Sequence, residues 1–327
     1  MKQNLRAVAC AAALALLACE VSAQAPAGLA AGPVRIGSTL PAGSGPDAVA
    51  RILAEKLQTA WGRTVIVEPR PGGAGSVAMN ALKTVQPTGN DLIVADVGNL
   101  VINPLVFKRL SYDPAHDLVP VALLYKAAFF VTVSGNSPYR SAKDLFAAAA
   151  DPKKRTLYGS NAVGGPIHLG SARLDVALGG QMQHVPYKET SQLYVAVSTG
   201  EVDWAYGSLA TTAPLVKSGK LRLLAVADTG RSAAAPDVPT IAEAGGPKGL
   251  EAPTWVALMA PRGTPPAVVE DMNRAVNEVL QKPDVKERLA TFGFVASPGP
   301  ARQVTELMQS DRTRYAEVLT RVKVDVD

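Results

Sequence analysis

The sequence has few of the side chains on which catalysis and metal binding usually depend. It contains two cysteines, Cys10 and Cys19, and three histidines, His116, His168 and His184. Both cysteines lie near the N-terminus, no two histidines have the spacing of metal ligands, and there is no G-x-S-x-G nucleophile turn. We therefore predict no catalytic residues, no metal site and no cofactor.

Long hydrophobic runs are also scarce. The longest extends from Ala7 to Ala18, follows Lys2 and Arg6, and is shorter than the ~20 residues of a membrane-spanning helix. A short apolar run behind a basic start, followed by small residues, is typical of a secretory signal peptide, which we predict for residues 1–23. The sequence around Cys19 also resembles a lipoprotein box, so a lipid anchor there is the alternative to a free protein. In both cases we expect an exported, periplasmic protein.

Charge of one sign is not concentrated anywhere in the chain. There are 33 Lys and Arg against 28 Asp and Glu, and Lys153–Arg155 is the only run of three cations. A nucleic-acid partner is therefore not expected. About 300 residues remain after the leader, which at about 150 residues per domain suggests two domains. We expect a monomer.

Short β-branched runs alternate with amphipathic stretches after residue 33, which predicts an α/β protein with mostly parallel sheets. The first unit is a strand over Val34–Leu40, a glycine-rich turn, and a helix over Pro46–Trp61. Two long C-terminal helices are expected to return to the first domain. We therefore predict a first lobe of residues 33–125 plus 253–327 and an inserted second lobe of residues 126–252. Two crossover segments between the lobes would form a hinge.

Three loops combine glycines with a following helix, namely Pro41–Asp47, Arg70–Gly75 and Ser160–His168. Free backbone N–H groups and the helix dipole at such places favour anions, including carboxylates. The loops are expected at the carboxyl ends of strands, where ligands of open α/β sheets bind. The alternative for each loop is that its glycines only make tight turns.

The first loop also has a weak similarity to a dinucleotide site. Gly43–Ala48 fits the relaxed G-x-G-x-x-A pattern, and Glu68 ends the next strand, where a ribose-binding acid would lie. However, Pro46 removes an N–H near the phosphate position, and an exported protein would meet little NAD. The residues therefore favour a carboxylate over a dinucleotide.

Other polar side chains lie at predicted helix starts and strand ends. His168, early in a helix, is expected to bond loop carbonyls or to face the cleft, whereas His184 is expected to be structural. Tyr187 and Ser208 are expected at strand ends, within reach of a ligand. The candidate ligand-binding residues are Pro41, Ala42, Gly43, Ser44, Gly45, Asp47, Gly73, Gly75, Ser160, Asn161, Gly164, Gly165, Pro166, His168, Tyr187 and Ser208.

Short motifs over nearly all of residues 33–322 occur in an order and spacing that are typical of one family. They include Pro41-Ala42-Gly43 before Asp47 and Arg51, Glu68–Gly75, Ile102-Asn103-Pro104 with Tyr112-Asp113-Pro114, Gly164–His168, His184–Lys188, Asp237–Gly245 and Ala260–Pro266. In these motifs the chain resembles the tripartite tricarboxylate transporter substrate-binding proteins, also called the Bug family.

The resemblance implies a two-lobe periplasmic binding protein, similar to type II, whose α/β lobes close on a ligand in the cleft between them. It assigns the ligand carboxylate to Ala42–Gly45 and Ser160–Pro166, mainly through backbone amides and ordered water. The implied function is capture of a small organic acid, without chemistry, for membrane transporter subunits. A sensor kinase as the partner is one alternative, and an exported enzyme using the same cleft is another.

Four positions depart from the family pattern. Ser44 replaces a usual glycine, Pro69 a usual asparagine and Glu189 a usual glycine, and Gly207 stands where relatives commonly carry aspartate. The chemistry of the pocket away from the carboxylate is therefore not expected to copy any particular relative.

Overall fold

The structure, a computed structural model, describes residues 25–26, 28–252, 254–324 and 326. The predicted signal peptide at residues 1–23 and the alternative lipid attachment at Cys19 lie outside the described residues. Within the described part of the chain, no helix is long and apolar enough to cross a membrane.

The described residues form two β-sheets and the helices that cover them. The strands are β1 (Val34–Ser38), β2 (Val65–Pro69), β3 (Asp91–Asp96), β4 (Leu118–Ala127), β5 (Phe130–Ser134), β6 (Leu157–Ser160), β7 (Gln183–Pro186), β8 (Trp204–Gly207), β9 (Leu221–Val226), β10 (Thr254–Pro261) and β11 (Phe294–Ala296). The α-helices are α1 (Gly45–Trp61), α2 (Ser76–Lys83), α3 (Asn103–Val106), α4 (Pro114–Asp117), α5 (Ala142–Ala149), α6 (Pro166–Leu178), α7 (Thr190–Thr199), α8 (Leu209–Lys217), α9 (Pro266–Gln281), α10 (Pro283–Thr291) and α11 (Arg302–Leu319). A 3₁₀ turn at Gly73–Gly75 precedes α2, and a π-helical segment at Gly98–Ile102 precedes α3.

The two sheets are mixed. The first has the strand order β11-β4-β10-β3-β1-β2 and the second has the order β7-β6-β8-β5-β9. The expectation of mostly parallel sheets is wrong, because five of the nine pairs between described strands are antiparallel. In the first sheet β10 lies between β3 and β4 and runs against both, and in the second β5 runs against β8 and β9. The α/β class and the two lobes are confirmed.

The chain passes between the two sheets twice. It leaves the first sheet at Ala127, enters the second at Phe130, and returns to the first sheet at Thr254. The two passages are hydrogen-bonded to each other through Ala227, whose N–H donates to the carbonyl of Phe129 (2.8 Å) and whose carbonyl accepts from Ala252 (3.0 Å). The two connections between the lobes therefore lie side by side.

Helix α1 forms as its sequence predicts and places the first glycine loop. Ser44 is its N-cap and accepts a hydrogen bond from the N–H of Asp47 (3.4 Å), while Pro46 lies in the first turn, where no N–H is needed. Apolar residues on one face of the helix are buried in the first lobe's core, which fixes the helix axis. They are Val49, Ile52, Leu53, Leu57 and Trp61.

The C-terminal part returns to the first lobe, with two elements more than expected. Two long C-terminal helices were predicted, and the structure adds the shorter α10 and the edge strand β11 between them. Helix α11 buries Val304, Tyr315 and Val318 in a core that contains Ile93 of β3 and also Leu169 of α6. The last helix therefore contacts both lobes.

Candidate ligand cleft

The predicted site residues fall mainly in two loops, one on each lobe, near places where the lobes touch. A methyl group on Gly98, just after β3, would lie 3.6 Å from Cδ of Pro166 at the start of α6. Leu209 of α8 lies close to Gly293. A methyl group on Gly293 would lie 2.8 Å from Cβ of Leu209. The loops after β3 and β6 therefore meet at one lobe contact, and α8, which follows β8, meets the residue before β11 at another.

The first loop, Pro41–Gly45, turns through a left-handed glycine. Gly43 has φ of 78°, and its N–H donates to Oδ2 of Asp47 over 2.9 Å. Arg51, one turn further along α1, donates to the same oxygen over 2.9 Å. Asp47 is 2% exposed, and its Oδ1 has no hydrogen-bond partner among the described residues. Asp47 therefore holds the shape of the loop from inside the protein.

This arrangement determines which amides of the first loop are free. The N–H of Gly43 is taken by Asp47, and that of Ser44 donates to the carbonyl of Pro41 (3.2 Å). The N–H groups of Ala42 and Gly45 have no acceptor within the described residues. The amides available for a ligand carboxylate therefore flank the left-handed glycine.

The second loop, Ser160–His168, uses the same arrangement with a different acceptor. Gly164 has φ of 75°, and its N–H donates to Nδ1 of His168 over 2.9 Å. Gly165 and Pro166 then begin α6. Nothing in the described part of the chain accepts a hydrogen bond from the N–H groups of Ala162 and Val163. The sequence led us to expect that His168 bonds loop carbonyls or faces the cleft, whereas the residue is 4% exposed and its ring accepts a loop N–H.

The two histidines of the second lobe form a stacked pair, of which His168 is buried and His184 half-buried. The rings of His168 and His184 stack at 3.9 Å between centroids, and Nε2 of His184 lies 2.7 Å from Oγ of Ser160. Burial lowers the pKa of both to about 4, with the proximity of His184 adding to the effect on His168. Both rings are therefore neutral at neutral pH, and a neutral His168 can accept the N–H of Gly164 at Nδ1.

The third loop, at residues 70–75, is tied into the first lobe. Asn99 donates to the carbonyl of Ala74 (3.2 Å), and so does the hydroxyl of Tyr112 (3.0 Å). A methyl group on Gly75 would lie 2.5 Å from Nδ2 of Asn99. Gly73 and Gly75 have positive φ, and the structure shows them making a tight, closely packed turn.

The side chains of Tyr187, Asn161 and Ser208 are each engaged with other groups. The hydroxyl of Tyr187 donates to Glu201 (2.9 Å), and the amide of Asn161 donates to Thr190 (3.0 Å). Ser208 lies at the start of α8, where its hydroxyl is 3.1 Å from that of Thr211. Of the three, Ser208 lies next to the lobe contact made by Leu209.

Sequence reasoning missed Asp96 at the carboxyl end of β3. Its Oδ1 accepts from the N–H of Asn99 (3.0 Å), and burial raises its pKa above the usual value. A methyl group on Gly98 would lie 3.1 Å from Oδ1 of Asp96, so this carboxylate is close to the contact between Gly98 and Pro166. The signal in the sequence is an acid directly after the buried run Leu92–Ala95, at a strand end where ligands of α/β sheets bind.

The packing around Gly207 explains why this position departs from the family pattern. A Cβ there would lie 2.5 Å from the methyl group of Thr212, 3.1 Å from the hydroxyl of Thr132 and 3.2 Å from the ring of Tyr194. These three side chains fill the space that a side chain at this position would need. An aspartate at position 207 would therefore require these side chains to shift.

Comparisons with known proteins identify the family of this chain. The sequence model described as "Tripartite tricarboxylate transporter family receptor" matches residues 49–324. Protein BugT of Bordetella pertussis is 29% identical over 274 residues, which cover 83% of this chain and 84% of BugT.

Two solved structures from Rhodopseudomonas palustris share the fold. One, Rpa4515 with adipate, has a TM-score of 0.80 and 28% identity and covers 89% of this chain and 97% of its own. The other, MatC with bound malate, has a TM-score of 0.75 and 26% identity and covers 88% of this chain and 98% of its own. The chain therefore belongs to the tripartite tricarboxylate transporter receptor family, which includes the Bug proteins.

Proposed function

We propose that this chain is an exported receptor that captures a small carboxylate-bearing solute between its lobes. The observation that carries the proposal is the pair of glycine loops, one on each lobe, that leave backbone N–H groups unpaired beside the lobe contacts. Unpaired N–H groups at helix N-termini favour anions and match a carboxylate held from two sides. Family membership supports delivery to membrane subunits of a tripartite transporter.

The binding free energy that capture requires is within the range that these backbone amides can supply. Micromolar affinity corresponds to about −8 kcal/mol. Hydrogen bonds to a charged group each contribute about 1.5–3 kcal/mol. The free amides of Ala42, Gly45, Ala162 and Val163 could therefore supply most of that binding energy once lobe closure removes water from the carboxylate.

The relatives narrow the class of solute. Adipate and malate, which accompany the two solved relatives, are both small dicarboxylates. In this chain a second carboxylate of the solute must lie away from Asp96, because two unpaired carboxylates repel each other in a cleft from which water is excluded. The part of the solute near β3 is therefore uncharged or a hydrogen-bond donor.

The direct test is a thermal-shift screen of the mature protein against small mono- and dicarboxylates, with hits measured by calorimetry. A solute at about 100 times its dissociation constant should stabilise the folded protein by about 2.7 kcal/mol. The recovered solute should be chemically unchanged, which separates capture from turnover by an exported enzyme using the same cleft.

A matched pair of variants tests whether the solute binds in the cleft. Gly43→Trp puts a bulky side chain into open space beside the free amides, at a φ of 78°. Gly200→Trp, at the end of α7, introduces the same side chain at a φ of 80°, also into open space. Both variants carry similar backbone strain, of about 1–2 kcal/mol. Binding lost only in Gly43→Trp supports the proposal, and equal binding in the two variants contradicts it.

A further inference from the structure

A second cavity lies at the junction of the two lobes, outside the loops of the cleft. It has a volume of about 220 Å³ and is bounded by α6, the segment Lys248–Leu250 and α11. Its α6 wall includes Arg173, which lies seven residues beyond Pro166 and hence about 10 Å further along the helix axis. The cavity is therefore bounded by both lobes but separate from the two glycine loops.

The walls of this cavity carry an excess of positive charge. Arg173 and Lys248 come from the second lobe, and Arg314 and Arg321 come from α11 and the residues just after it. Glu317 is the one carboxylate among the lining residues. Four cations therefore face one anion around a single cavity.

Little of this charge is neutralised by nearby carboxylates. Arg314 pairs with Asp311 over 2.8 Å, whereas Arg173 donates to the carbonyls of Glu251 and Gly249. No carboxylate of the described residues is within ion-pair distance of Arg173, and the same holds for the exposed Lys248 and Arg321. The residues that line the cavity therefore keep an excess of positive charge.

Two of the cations are held in place by the fold. The guanidinium of Arg173 is partly buried and bound to two backbone carbonyls, and that of Arg314 is bound to Asp311, which is 1% exposed. Burial and the neighbouring charge of Arg314 lower the pKa of Arg173. Solvated surface cations would move apart, whereas these two stay close together, and an anion between them would offset their repulsion.

We propose that this inter-lobe cavity binds one small oxyanion with two negative charges, of the chemical class of inorganic phosphate. Arginine forks bind such oxygens in pairs, and a lysine ammonium adds a point charge. The cavity has room for a tetrahedral oxyanion with bridging waters, each of which occupies about 30 Å³. The bound anion contacts groups from both lobes and therefore bridges them.

The test is a calorimetric titration of the mature protein with inorganic phosphate, at constant ionic strength and with chloride as the competing anion. We expect saturable binding of one phosphate per chain. The double variant Lys248→Gln/Arg321→Gln should weaken that binding at least about tenfold, which corresponds to about 1.4 kcal/mol. Because neither side chain has a carboxylate partner among the described residues, the variant should fold normally.

A matched control removes the same net charge elsewhere. Lys153→Gln/Lys154→Gln changes two exposed lysines of the second lobe and should leave phosphate binding unchanged. The cleft variant Gly43→Trp should also bind phosphate normally, which separates this site from the carboxylate cleft. The proposal is overturned by three results: no saturable phosphate binding, an equal loss in the two double variants, or loss of phosphate binding in Gly43→Trp.

Discussion

Acidification is expected to destabilise the second lobe through His168. The fold lowers the pKa of this ring from 6.5 to about 4, mainly by burial, so the folded protein binds a proton less readily than the unfolded chain. Stability from this group is therefore fully present above pH 6.5 and is lost as the pH falls towards 4. Protonation at Nδ1 would also turn the acceptor of the Gly164 N–H into a donor and break that bond.

The size of the effect follows from the pKa difference. Each pH unit between the two pKa values corresponds to about 1.4 kcal/mol, so His168, which is 4% exposed, contributes at most about 3 kcal/mol. By pH 4.5 about 2.5 kcal/mol of this should already be lost. The stacked His184 titrates in the same range, so the two contributions are coupled and do not simply add.

The assay is urea denaturation of wild type and His168→Asn between pH 7.5 and 4.5. The Asn carbonyl can still accept the Gly164 N–H but does not titrate, so the free energy of unfolding should fall by about 2.5 kcal/mol less than in wild type. Both proteins carry the same carboxylates, which cancel in the comparison. An identical pH dependence in wild type and His168→Asn would refute the reasoning.

Three further variants test the packing around the site, each by the free energy of urea unfolding. Gly207→Asp should destabilise the protein by about 1–3 kcal/mol, because its Cβ would lie 2.5 Å from the methyl group of Thr212; unchanged stability would mean that this region repacks freely. Ser44→Ala should lose about 1 kcal/mol with the N-cap of α1, and no loss would mean that the cap contributes nothing. Trp255→Phe should cost about 1–3 kcal/mol, because it removes the 2.7 Å bond to the buried Asp311; a neutral result would contradict a role for that bond.

The fold could be predicted where local pattern decides it. The buried face of α1 follows from the spacing of its apolar residues, and its start follows from Ser44 and Pro46. The position of β10 between β3 and β4 depends on pairing between residues more than a hundred positions apart, which alternation along the chain does not encode. The antiparallel pairs were missed for this reason.

The position of the glycine loops could also be predicted, because a glycine run followed by a helix start is a local signal. The acceptor of each amide N–H could not be predicted, because it depends on which side chain turns back to accept the hydrogen bond. The family resemblance assigned the ligand carboxylate to the Ala42–Gly45 loop, mainly through backbone amides, and the structure gives the N–H of Gly43 to Asp47. Tyr187 lies at a strand end as predicted, yet its hydroxyl bonds Glu201.

The two loops share an arrangement that is visible in the sequence once it is known. In each, a glycine with φ near 75–78° donates its N–H to the side chain four residues later, in the first turn of the following helix: Gly43 to Asp47 and Gly164 to His168. The left-handed residue turns its own amide inwards, and the amides without an acceptor are those beside it. Glycine followed four residues later by a polar acceptor at a helix start is therefore common to both loops. The two acceptors differ, because Asp47 adds negative charge behind the first loop, where Arg51 balances it, whereas the neutral His168 adds none behind the second. Neither loop therefore has a net charge behind it, and the attraction for a ligand carboxylate comes from the unpaired amides themselves.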